Sequence, residues 1–186
     1  MLPENWQIGA IVGASGTGKT TIARKLFPKQ FDQKFDYKAK SVVDDMPEEC
    51  SVDEITRMFY TVGFGSVPSW LKPFSVLSNG EKMRVELANR LLRNEMSVFD
   101  EFTSVVDRNV AKTICIATKK TMKRIPEKKL VVVSCHYDIL DWLQPDWIYD
   151  TNENKCFFGQ SHDLNVNTKS KKLTEERGKC LAVITI

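Results

Sequence analysis

The residues from Gly13 to Thr20 (GASGTGKT) bring glycines, a lysine and a hydroxyl together at the spacing G-x-x-x-x-G-K-[ST]. Glycines let successive backbone N–H groups curl around phosphate oxygens, and the N-terminus of a following helix adds partial positive charge. Lys19 then reaches the outer phosphates, while the Thr20 hydroxyl is placed to ligate Mg²⁺. Gly13, Ala14, Ser15, Gly16, Thr17, Gly18, Lys19, Thr20 and Thr21 are therefore candidate nucleotide-binding residues. The motif specifies a nucleoside triphosphate and leaves its fate open. A second stretch, SVFDE at Ser97 to Glu101, is an apolar run ending in two acids. Asp100 is placed to orient the metal, and Glu101 to polarise an attacking water as general base.

These residues need a strand before the glycine-rich loop, a helix after it and a second strand under the acids. Trp6 to Val12 (WQIGAIV) reads as a buried strand closed by Gly13, and Lys19 to Phe27 as a helix stopped by Pro28. Residues 29–40 are polar and poorly patterned, and Ser41 to Asp45 (SVVDD) is expected to be a short strand. Ser51 and Glu54 form a capping box for a helix with Ile55, Met58, Phe59 and Val62 on one side. Gly63 to Pro73 is turn-rich and is expected to be a loop. Met83, Leu87, Ala88, Leu91 and Leu92 recur at helical spacing, and a further helix is expected from about Asn109 to Arg124. Ser97 to Asp100 and Leu130 to Ser134 read as strands, and Asn152 to Asn154 as a hairpin turn. Strands alternating with helices imply an α/β domain with a largely parallel sheet.

Leu77 to Glu81 (LSNGE) admits two readings. On residue chemistry alone, Ser78 and Glu81 are a capping box that starts a helix. The stretch also resembles the L-S-G-G-Q signature of the ABC-type (ATP-binding cassette) ATPases, with Asn79 for the first glycine and Glu81 for the glutamine. Lys82 to Leu92 (KMRVELANRLL) resembles the helix that follows that signature. Ser104 to Asp107 (SVVD) is similar to the family's D-loop, S-x-x-D, and His136 stands where the family has its switch histidine.

The resemblance covers roughly residues 6–160. It implies a P-loop NTPase domain over 1–160 with a reduced helical subdomain at about 46–95, followed by an extension or linker at 161–186. It further implies MgATP binding and hydrolysis in a head-to-tail homodimer. Glu101 and His136 would be catalytic, and Thr20 and Asp100 would hold Mg²⁺. Ser78, Asn79, Gly80 and Glu81 would complete the partner's site, and Ser104 and Asp107 would lie in the D-loop. The family's glutamine ahead of the helical subdomain has no counterpart. Asp44 or Asp45 stands at that place and is a candidate contact to the metal or its water. The aromatic that stacks on adenine is also missing, so adenine and guanine are not distinguished. A cassette without that glutamine and with a reduced helical subdomain looks more like the soluble ABC ATPases of DNA repair, recombination or mobile-element systems, which implies a DNA-related or mobile-element setting. The stretches VVDDMPE, SVDEI, VGFGSVPSWLKPF and VLSNGE resemble compact ABC ATPases often fused to an acetyltransferase-like domain, which implies a possible additional domain. A transporter's nucleotide-binding subunit and a P-loop kinase are the alternatives.

Composition limits the setting. The net charge of +3 is too mild to diagnose a nucleic-acid partner, but Lys112, Lys119, Lys120, Lys123 and Arg124 form a basic stripe at helical spacing. Such a stripe is either a solvated face or a track for a nucleic-acid backbone. No apolar run approaches the roughly 20 residues of a membrane helix, so no insertion is expected. Five cysteines, with no C-x-x-C pair, argue for a reducing compartment and a cytoplasmic protein.

Overall fold

Ile8–Val12 (β1) is buried along its whole length, as a central strand covered on both faces must be. It pairs in parallel with Lys129–Ser134 (β3) on one side and with Trp147–Asp150 (β4) on the other. Met96–Phe99 (β2) pairs in parallel with β3, and Lys155–Phe158 (β5) runs antiparallel beside β4. The sheet order is β2-β3-β1-β4-β5, a largely parallel α/β arrangement. The turn at residues 151–154 joins β4 to β5, where the asparagine-rich sequence predicts it. This computed structural model describes residues 2, 5–31 and 33–158, and the expected extension at 161–186 lies outside the described residues.

Seven α-helices and one short 3-10 turn, Phe74–Val76, occur among the described residues; the α-helices are Lys19–Leu26 (α1), Pro28–Phe31 (α2), Val52–Thr61 (α3), Val67–Trp70 (α4), Asn79–Arg93 (α5), Arg108–Arg124 (α6) and Ile139–Leu143 (α7). The pleat divides the core. Ile8, Ala10, Val12, Leu130 and Val132 pack with Phe59, Leu87, Leu91, Ile114 and Met122 from α3, α5 and α6. Ile11, Val131 and Val133 pack on the other face with Ala23 of α1, Trp6, Phe27 and Trp147. Each fully buried side chain of this kind contributes about 1.5–3 kcal/mol. Around α3 and α4 an aromatic cluster forms: Phe59 meets Phe64 edge-on at 5.2 Å and Trp70 at 5.7 Å, and Trp70 Nε1 donates to Phe64 O at 2.8 Å.

Three expectations change. Residues 41–45 form a turn and not a strand, with Asp44 N donating to Ser41 O and Met46 N to Val43 O, each at 3.2 Å. Buried Val42 suits a strand, but the polar neighbours compete for the backbone. Asp45 Oδ1 accepts from Lys38 N and Ala39 N, and Ser41 Oγ donates to Asp44 Oδ2. Pro28 ends one helix but opens the next, because its fixed φ and missing N–H suit a first helical position. The turn-rich 63–73 stretch contains α4, which also begins with a proline in its first turn.

Candidate nucleotide site

Strand order brings the site together. Val12 lies beside Ser134, and Val132 beside Phe99, so the C-terminal ends of β1, β3 and β2 open on the same edge. Parallel sheets place ligands at such ends. The glycine-rich loop leaves β1 there, Asp100 and Glu101 leave β2, and His136 follows β3.

Gly18, just before α1, has φ 84° and ψ 13°, a left-handed conformation that costs glycine nothing. No side chain caps α1, so its first amides remain for a ligand. At the loop's other end Gly13 lies hard against the β4–β5 turn. A Cβ there would come within 2.0 Å of Thr151 Oγ1 and 2.9 Å of Thr17 Oγ1. The loop is curled on itself: Lys19 Nζ donates to Ala14 O at 2.6 Å and Thr17 Oγ1 donates to the same carbonyl at 2.8 Å. Ser15 and Gly16 form its exposed crest, and Thr21 is exposed beside Thr20.

Thr20 Oγ1 donates to Asp100 Oδ2 at 3.0 Å across 80 residues of sequence. Glu101 N donates to Asp100 Oδ1 at 2.9 Å, which fixes the carboxylate from its other oxygen. Glu101 and Thr103 adopt φ 53° and 67°, unusual for residues with side chains. Such backbone costs about 1–3 kcal/mol per residue and persists only when its surroundings hold it. Here fully buried Phe102 pins the turn, its N–H donating to Val133 O at 2.8 Å and its carbonyl accepting from Ser134 Oγ at 2.9 Å. Ser134 Oγ also accepts from His136 N at 3.1 Å, so one hydroxyl ties the acidic turn to the histidine loop. The Glu101 carboxyl is left exposed and His136 half-exposed.

Ser78 is the N-cap of α5. Its hydroxyl accepts from Glu81 N at 3.3 Å, and its own N–H donates to Glu81 Oε2 at 2.9 Å. Burial would raise the Glu81 carboxyl, but hydrogen bonds from Ser69 and Ser78 outweigh it and hold the group below the usual carboxylate range. Asn79 Nδ2 donates to Val105 O at 3.2 Å, joining the LSNGE stretch to the loop between Ser104 and Asp107. A Cβ on Gly80 would reach 3.0 Å from Val110 Cγ1. Asp107 caps α6 by accepting from Asn109 N and Val110 N at 3.0 and 3.1 Å, and Ser104 N donates to Glu101 O at 3.0 Å. Asp44 and Asp45 use their carboxylates within the 38–45 turn, and neither hydrogen-bonds to Thr20 or Asp100.

Several residues around the site carried no signal in the sequence. Arg108 Nε donates to Asp138 Oδ2 at 2.8 Å, and its Nη2 pairs with the second carboxylate oxygen. Thr151 Oγ1 meets Thr17 Oγ1 at 2.5 Å, and Ala14 N donates to Asn152 Oδ1 at 3.1 Å. No local spacing could link positions so far apart. An open cleft of about 580 Å³, lined by Asp53, Thr56, Arg57, Tyr60, Thr61 and Arg124, lies along α3 and holds none of the candidate nucleotide-site residues.

The edge-opening parallel sheet, glycine-rich loop and acid-tipped strand together are the architecture of a P-loop NTPase. No protein-family model matches the chain, and no curated protein does. Solved structures place the fold more narrowly. MJ0796, described as a bacterial ABC transporter cassette, superposes in its dimeric structure with TM-score 0.60 at 15% identity, over 81% of this chain and 82% of that one. Its post-hydrolysis state with ADP and Pi gives 0.62 over the same shares. CbiO1 from Clostridium perfringens, part of the ABC transporter complex CbiONQ, gives 0.63 at 19% identity over 81% and 75%. The fold of this chain is that of the ABC-type ATPase cassettes.

Proposed function

We propose that this chain binds MgATP and hydrolyses it to ADP and phosphate as a head-to-tail homodimer. The observation that carries this reading is the Thr20–Asp100 contact at 3.0 Å, which brings together the chain neighbours Lys19 and Glu101. Lys19, held on a backbone carbonyl, would exchange it for phosphate oxygens as the loop amides take up the triphosphate. The hydroxyl of Thr20 and the carboxylate of Asp100 suit magnesium, a hard cation that takes one or two protein oxygens and leaves its remaining positions to phosphate and water. Bound there, magnesium would neutralise charge developing on the phosphates. Glu101, exposed beside that pair, takes the proton of the attacking water. His136 contacts the γ-phosphate, and Ser78 and Gly80 complete the site of the second copy. The working unit is residues 1–160, with the helical subdomain at about 46–95.

Free phosphate released from MgATP, with no phosphorylated acceptor, supports this reading over a P-loop kinase. Accumulation of a phosphorylated small molecule instead would overturn it. The similarity of the fold to transporter cassettes keeps a role as a transporter subunit beside the DNA-related one.

A second reading concerns α6. Lys112, Lys120, Lys123 and Arg124 are exposed on it and Lys119 lies half-exposed among them, while its other side packs on α7, α3 and α5. Such a face suits a nucleic-acid backbone. Neutralising two of these lysines should then lower the magnitude of the log K against log salt slope by about two units. Absence of DNA or RNA binding at low salt removes this reading.

A further inference from the structure

We propose that Tyr137 is a positioning residue that, with Asp150 and Asn152, ties the phosphate loop to the loop carrying His136. The proposal rests on the reading of His136 given above and extends it to three residues outside every motif.

The Tyr137 hydroxyl donates to the Asp150 carboxylate, whose oxygens lie 3.0 and 2.9 Å away. Asp150 is the last residue of β4 and is buried, with no cation paired to it among the described residues. A buried carboxylate is tolerated only when hydrogen bonds replace its water. Here the replacements are the tyrosine hydroxyl and the backbone N–H groups of Asn152 at 2.8 Å and Glu153 at 3.3 Å. The arrangement holds Tyr137 protonated, because burial and the neighbouring carboxylate push its hydroxyl up to about 12. The same hydroxyl oxygen accepts from Asn152 Nδ2 at 2.9 Å. That bond fixes the amide so that Asn152 Oδ1 faces Ala14 N, which donates to it at 3.1 Å. Ala14 is also the residue whose carbonyl holds Lys19 and Thr17. A chain of hydrogen bonds thus runs from Ala14, the residue whose carbonyl holds the P-loop lysine, through Asn152 to Tyr137 beside His136.

The chemistry requires this distance to be set from outside. His136 makes one backbone bond, to Ser134 Oγ, and its ring lies half-exposed at the edge of the site. A ring so placed keeps its distance to the third phosphate only if its loop is fixed relative to the loop holding the other two. Of the two residues that follow His136, Tyr137 ties its loop to the phosphate loop and Asp138 ties it to Arg108.

The test uses Tyr137→Phe in the full-length chain, which deletes the hydroxyl and keeps the ring, and Asn152→Ala as the second variant. Amide exchange of Ala14 is read in the nucleotide-free protein, and kcat and KM are read with MgATP. Loss of one hydrogen bond should speed Ala14 exchange about fivefold in both variants. It should also lower kcat about tenfold while leaving KM for ATP within about twofold. In a His136→Ala background, Tyr137→Phe should have no further effect on kcat, because it acts through the histidine. Unchanged Ala14 exchange in both variants would overturn the proposal, as would a full tenfold loss of kcat on top of His136→Ala. If His136→Ala turns over like the parent, the reading of His136 as γ-phosphate contact fails. The tie between the loops is then decided by Ala14 exchange alone.

Discussion

At the residue scale, the arrangement separates holding from reacting. Lys19, Thr20 and Asp100 hold each other or nearby backbone before any ligand arrives, whereas the Glu101 carboxyl is exposed and without a hydrogen-bond partner among the described residues. Substituting Glu101→Gln should therefore slow hydrolysis by roughly 100-fold or more, the usual contribution of a positioned base, with MgATP affinity retained. Lys19→Ala should weaken MgATP binding itself. Steady-state turnover paired with equilibrium binding distinguishes the two, and equal turnover in Glu101→Gln and the parent would remove Glu101 from the reaction. The backbone at Glu101 adds a second check. With φ at 53°, Glu101→Gly should relieve strain and raise thermal stability while abolishing turnover, an opposition that a merely structural glutamate would not produce.

At the element scale, the two capping boxes differ in what they start. Ser51 opens a helix that packs the aromatic cluster, and Ser78 opens the helix beneath the LSNGE stretch. Ser78→Ala should lose about 1 kcal/mol of stability, lowering the melting temperature by about 2–4 °C. The Glu81 carboxyl sits below its ordinary range in the folded chain, so its contribution is present above the unfolded value of about 4.3. That contribution disappears as pH falls through the folded value. Glu81→Gln should flatten this acid limb of the melting profile, and an unchanged limb would show that other carboxyls carry it. These elements were legible because caps and apolar spacing are local signals. Residues 41–45 depart from the local signal because two valines favour a strand while Asp45 and Ser41 bind neighbouring amides, a competition set only once Lys38 and Ala39 are in place. The motif residues could be read from spacing, whereas Asn152 could not, since it meets Ala14 across 138 residues.

At the scale of the whole molecule, the crest of the glycine-rich loop and Glu101 are exposed on one chain, and the proposed head-to-tail assembly would cover them with a second copy. If that assembly holds, the Glu101→Gln protein should dimerise with MgATP and separate with MgADP, because loss of the γ-phosphate would remove the group both copies would share. Sedimentation showing a monomer under saturating MgATP would contradict that assembly. The position of β1 has a consequence for how the protein comes into being. The middle strand of the sheet precedes both of its neighbours in the chain, which arrive only with residues 129–134 and 147–150. Its entry is likewise held from afar, Gln7 N and Ile8 N donating to Asp146 Oδ2 at 2.8 and 2.9 Å. While the chain is being translated, Ile8–Val12 has no sheet to join, and the glycine-rich loop lacks Thr151 and Asn152 behind it. On the proposed function, ATP would therefore find nothing to grip until residues up to 152 have left the ribosome. Stalled chains exposing residues only up to 145 should show no protection from protease by MgATP, and those exposing residue 158 should show it. Under that reading nucleotide would be a ligand only of the finished sheet, and an aborted chain would not sequester it.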